Sequence, residues 1–108
     1  MSTALHFKSN LRDILFNLFE YLEVQTTSLG KAPFSSSLDE ETTREVLKGI
    51  EKICTDEPAA SFVESDRVEL GFDKATGTVS LPPRLKQSIV AYQEAGFHKL
   101  ELPEHLGG

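Results

Sequence analysis

The side chains in this 108-residue chain that could do chemistry are His6, His98, His105, a single cysteine, Cys54, and a surplus of carboxylates. A bound metal needs several such groups at ligand spacing. His98 and His105 are seven apart across Pro103 with no cysteine near them, and His6 stands alone near the N-terminus. Nucleophilic catalysis by Cys54 would need an activating base or an electropositive setting, whereas Cys54 sits in an apolar helical pattern that suits a small core residue. The carboxylates gather at a helix start or on polar faces, so they supply no acid–base pair. "ATGTV" and "LGG" lack the Gly-Lys-Ser/Thr ending and the repeated glycines of phosphate-binding loops. The residues nominate no catalytic, cofactor-binding or metal-ligating position, Glu104 included.

Composition narrows the classes. A chain of this length holds one small domain with one core. With 39% hydrophobic and 26% charged residues it has the make-up of an ordinary soluble protein. Seventeen acidic against eleven basic residues give a net charge of −6, and no basic cluster reverses it, which argues against nucleic acid and anionic membrane surfaces as partners. No apolar run approaches the roughly 20 residues of a membrane span, and the first residues, "MSTALHFKSN", lack a signal-peptide pattern. One cysteine cannot form an internal disulfide, so a reducing, cytoplasmic location is expected.

The elements that must position any site follow from period and punctuation. Asn10 can cap a helix over about Leu11–Val24, with Asp13 in its first turn. At 100° per residue Leu11, Ile14, Leu15, Leu18, Phe19, Tyr21 and Leu22 fill one broad arc, and Phe16 falls on the polar side. "QTTSLGKAPFSSS", Gln25 to Ser37, reads as a loop. A second helix opens with Ser37 and Glu40 at capping-box spacing and carries Val46, Leu47, Ile50, Ile53 and Cys54 as its buried stripe. Pro58 either kinks it or starts a new helical turn that runs through Phe62 and Val63 to about Ser65.

Then the period changes. Val68, Leu70 and Phe72 alternate, as do Val79 and Leu81, around an Asp73-Lys-Ala-Thr-Gly77 turn, which predicts a β-hairpin. Pro83 starts a third helix with Leu85, Ile89 and Tyr92 on one face and Gly96 as its C-terminal cap. Phe97, Leu100 and Leu102 suggest an extended segment that buries one side before Pro103. The expected fold is mainly α: a small helical domain of three or four helices with one short β-hairpin.

The order of these features carries a resemblance. A kinked acidic helix ending in "FVESDR", then "PPRLKQSIVAYQEAGFHKLELPEHLGG", resembles the N-terminal region of the flavin-dependent acyl-CoA dehydrogenases. That family reads there as a proline, a helix ending in Ala-Gly, an aromatic, an apolar segment and Pro-Glu-x-x-Gly-Gly. The matching residues are Pro83, Ala95, Gly96, Phe97, Leu100, Pro103, Glu104, Gly107 and Gly108, with Leu106 where the family often has tyrosine or phenylalanine. The leading "HFKSNLRDILFNLFEYLEV" and the hairpin "GFDKATGTVSLPP" resemble the large bacterial subgroup with an N-terminal helical extension. The resemblance runs from about His6 to Gly108.

It implies residues 1–36 as an extension helix and linker and residues 37–108 as the start of the family's N-terminal helical domain. Such enzymes remove two hydrogens from the α and β carbons of an acyl-CoA thioester in fatty-acid β-oxidation: a glutamate takes the α proton and FAD the β hydride. The resemblance places the glutamate and most FAD contacts in a middle β-domain and a C-terminal helical domain beyond Gly108, so Gly107 and Gly108 would lead into a further helix. The implied partners are those domains and the acyl-CoA, in a homo-oligomer when complete; these residues alone would bind no FAD and be inactive. They would leave apolar surface open on helix one, on the hairpin and around Phe97. The alternative is a self-contained acidic helical module that binds a protein partner through the apolar face of helix one, without catalysis.

Overall fold

A computed structural model describes residues 7–32 and 36–108 of the chain. Packing divides these residues into two units. One holds Phe7, Lys8 and Ile53–Ala95; the other holds Ser9–Lys52 and Gly96–Gly108. The fold is mainly α with one two-stranded antiparallel sheet, as the periodicity predicts.

In the second unit Asn10 caps α1, Leu11–Leu15: its side-chain Oδ1 accepts the Asp13 backbone N–H at 3.2 Å. The expected straight helix to Val24 does not continue. Residues Phe16–Tyr21 form a π-helical turn, in which the Leu22 N–H reaches back five residues to the Asn17 carbonyl at 2.9 Å. Glu23 then takes a left-handed conformation, φ 50° and ψ 46°, before a short α2, Val24–Thr27. The Glu23 carbonyl accepts the backbone N–H of Thr26 and Thr27 and both threonine hydroxyls. α2 occupies the start of the expected loop, because these threonines make local bonds that composition alone does not display. Pro33, in that loop, lies outside the described residues.

Ile14 of the expected arc is exposed already in α1, and the wide turn accounts for the exposed Leu22 beyond Phe19. Phe19 is 3% exposed, whereas Tyr21 is 73% and Leu22 54% exposed. A five-residue hydrogen-bonded step stacks Leu22 over exposed Asn17 instead of Leu18, so the arc drawn at the α-helical angle comes apart after Phe19. Phe16 is exposed, as its place on the polar side predicts.

Helix α3, Glu40–Asp56, is capped by Asp39 and not by the expected Ser37: the Asp39 Oδ1 accepts the Thr42 N–H at 2.7 Å. Asp39 has the same three-residue spacing to Thr42 as Ser37 has to Glu40, and a carboxylate at a helix N-terminus also meets the dipole favourably. The Asp39 carboxyl is held below its ordinary 3.8 by the hydrogen bond from the Thr42 backbone and then by that from the Thr42 side chain. One turn on, the Arg44 Nη2 and Nε lie 2.7 and 3.0 Å from the Glu40 Oε1, and its guanidinium lies 4.3 Å from the Phe19 ring centroid. Val46, Leu47, Ile50, Ile53 and Cys54 are all half-buried along one stripe. Gly49 makes a notch in the same helix: a methyl group there would stand 3.3 Å from the tip of the Phe97 ring.

In the first unit Pro58 begins a new helix, α4, Pro58–Arg67, where its missing N–H is no loss. The helix outlasts the expected end at Ser65 by two residues. The hairpin pairs β1, Gly71–Asp73, with β2, Thr78–Ser80, placing Phe72 opposite Val79. Its turn is closed by the Gly77 N–H on the Asp73 carbonyl at 2.7 Å, with Gly77 at φ 71°. Both faces of the ribbon are open: every residue of the two strands is exposed, with Phe72 at 63% and Val79 at 56% on one face. Helix α5, Pro83–Glu94, packs against α4. The fully covered residues of this pair are Ser61 and Ser88, together with Pro82 just before α5. Ile89 and Tyr92 of the expected apolar face are exposed instead. The Glu64 carboxylate on α4 accepts the Arg84 backbone N–H at 3.1 Å, capping the start of α5 from outside.

Two outcomes follow. Truncating Phe19 to alanine removes the buried aromatic and should cost about 3 kcal/mol or more in urea titrations followed by helical circular dichroism. Because the folded Asp39 pKa lies below its unfolded one, its contribution is present above the ordinary value and is lost as the pH falls through 3.8 toward the lowered value. Asp39→Asn keeps a capping oxygen without the titration, so it should lose less helicity than the parent chain on acidification.

Candidate functional site

The Pro-Glu-His-Leu-Gly-Gly motif is a compact turn system in the second unit. Gly96, at φ 82°, ends α5 and is followed by a 3-10 turn, Phe97–Lys99; a second, Glu104–Leu106, starts after Pro103. The expected extended segment is absent. The Lys99, Leu100 and Leu102 N–H groups each bond three residues back, so what reads as alternation is a succession of turns, and Leu100 and Leu102 are exposed. Phe97 itself is half-buried at the Gly49 notch, while the apolar side chains of Leu100 and Leu102 near it are open.

The two glycines have separate reasons. Gly107 caps the second 3-10 turn at φ 96°, a conformation that L side chains resist. Gly108 donates its N–H to the Pro103 carbonyl at 3.1 Å, and a side chain on it would collide with the Leu102 carbonyl. The turn is tied down by one long-range bond: the Ser37 Oγ donates to the Glu104 Oε1 at 2.6 Å. Ser37, Leu38, Lys99, Leu102, Glu104 and the closing glycines line a groove of about 360 Å³.

Glu104 therefore accepts a hydrogen bond that positions a turn. His98 and His105 stand exposed on the two 3-10 turns, and His6 lies outside the described residues. Cys54 is half-buried beside an apolar pocket of about 410 Å³ lined by Phe7, Pro58, Ala59 and Phe62. Among the described residues, no three of His, Cys, Asp and Glu gather as a metal would require, and no helix is long and apolar enough to cross a membrane. The Ser37–Glu104 contact spans 67 positions, and nothing in the spacing of either residue announces it.

No family model matches the chain. Over 103 residues, however, it is 43% identical to the broad-specificity linear acyl-CoA dehydrogenase FadE5 of Mycobacterium tuberculosis. The chain is similar to part of an acyl-CoA dehydrogenase. The match takes in 95% of this chain and 16% of the relative, so the chain spans about one sixth of that protein's length. The resemblance drawn from the ordered motifs is thereby borne out.

Gly107→Ala places a methyl group on a left-handed backbone and should open the closing turn. The expected reading is faster amide hydrogen exchange at Leu106, Gly107 and Gly108, with α4 and α5 unaffected, since those helices belong to the other unit.

Proposed function

We propose that this chain is the N-terminal helical portion of a flavin-dependent acyl-CoA dehydrogenase, structural in role and inactive alone. The 43% identity over nearly all of the chain to an acyl-CoA dehydrogenase carries this reading. In it, residues 1–36 are an extension helix and linker and residues 37–108 begin the N-terminal helical domain. The complete enzyme is a cytoplasmic homo-oligomer that oxidises acyl-CoA thioesters at the α and β carbons in β-oxidation, with FAD accepting the hydride.

The chain's own residues support a scaffolding part in that reaction. No acid–base pair or nucleophile with an activating partner emerges among the described side chains, and the carboxylate of the closing motif is engaged by Ser37. What the chain offers instead is exposed apolar surface on Tyr21, Leu22, Phe72 and Val79. Side chains of this size gain roughly 1.5–3 kcal/mol each when fully buried, so a middle β-domain and a C-terminal helical domain that covered them would be bound firmly.

The test is direct. The purified chain, mixed with FAD and a panel of acyl-CoA thioesters and an artificial electron acceptor, should retain no flavin through gel filtration and reduce no acceptor. Flavin retention or turnover by these residues alone would overturn the structural assignment.

A further inference from the structure

Helix one contains a conflict between its sequence and its backbone. In an unbroken α-helix Leu22 stands four residues from Leu18, three from Phe19 and seven from Leu15, squarely on the covered side, whereas Tyr21 stands seven from exposed Ile14 and stays open in either register. In the observed π turn Leu22 is moved one residue back in register, over Asn17, and both side chains face outward. The helix then breaks at a defined place. Glu23 is the one non-glycine residue with positive φ among those described, and β-region or right-handed backbone is the ordinary preference of glutamate.

Three contacts hold the π register. Gln25 Nε2 donates to the Phe19 carbonyl at 3.0 Å, Leu22 N–H bonds Asn17, and Arg44 lies on the Phe19 ring. Against them stand the left-handed Glu23 and the uncovered Leu22. We propose that helix one is a register switch: flipping Glu23 to right-handed backbone closes the π turn into continuous α-helix and rotates Leu22 from the open to the covered face. The observed register displays Leu22; the alternative one withdraws it. Helix register shifts occur on the microsecond to millisecond scale, which sets the observable.

The test uses the whole 108-residue chain. Glu23→Gly removes the objection to positive φ and should hold the π register. Glu23→Val makes positive φ far less accessible and should move the equilibrium about tenfold toward continuous helix. Nuclear magnetic resonance relaxation dispersion should find exchange at residues 16–24 in the parent chain and its loss in Glu23→Gly. In Glu23→Val the Leu22 methyl groups should become less accessible to a soluble paramagnetic probe, and the Cα shifts of residues 22 and 23 should turn helical. Should Glu23→Val fail to fold, the parent and Glu23→Gly comparison decides alone. Absence of exchange in the parent chain, or exchange that persists unchanged in Glu23→Gly, would overturn the switch.

Discussion

The ring of Phe19 lies under the guanidinium of Arg44, and much of the second unit depends on that contact. Phe19 is the one large aliphatic or aromatic side chain fully covered among the described residues. Its cover is a charged group, which is acceptable because Arg44 meets the Glu40 carboxylate through both Nε and Nη2 while its flat face rests on the ring. The arrangement stands on a sequence of local choices. Asp39 fixes where α3 starts, that start places Glu40 in the first turn, and Glu40 orients Arg44 one turn later. The pair is half exposed, so its electrostatic worth is small. Its value lies in holding a planar lid over an aromatic ring.

The first unit is built differently. Its helices α4 and α5 meet with serines at the covered positions, and their relative placement is fixed by polar reach: Glu64 accepts the Arg84 backbone N–H and Gln87 reaches toward Glu57 at 3.4 Å. Small covered side chains bring little apolar area out of water, and the hairpin adds none, since every residue of both strands is exposed. Isolated two-stranded ribbons are marginal in water. Under the function proposed above, the apolar side chains left open among the described residues are faces for other domains.

Features set by the backbone chemistry of one residue were legible in the sequence. Pro58 and Pro83 start helices, Gly77 turns the hairpin, Gly96 ends α5, and Asn10 caps α1, each for a reason that belongs to that residue alone. Features that depend on a choice between equivalent local partners were not. Ser37 and Asp39 both stand three residues before a suitable partner, and Asp39 prevails at the helix while Ser37 is drawn to Glu104. The segment after Gly96 was misread because two apolar residues three apart suit a 3-10 turn as well as an irregular extended run. In the candidate site, the glycines and Pro103 were visible as a motif, but the bond that anchors them was not, because contacts across 67 positions leave no local mark.

The π turn is the instructive failure. Reading an apolar arc at 100° per residue assumes a constant step, and no single residue between Leu15 and Glu23 forbids it. The step changes because the choice is made elsewhere: Arg44, 25 positions beyond Phe19, covers that ring, and Gln25 occupies its carbonyl. A sequence whose local pattern agrees with its fold at every level has no cause to hold glutamate in left-handed backbone. One that does so beside an uncovered Leu22 is balancing two arrangements with opposing local and tertiary preferences. In such a balance the covering of Leu22 by any other surface would reinforce the π register, because it removes the exposure that weighs against it.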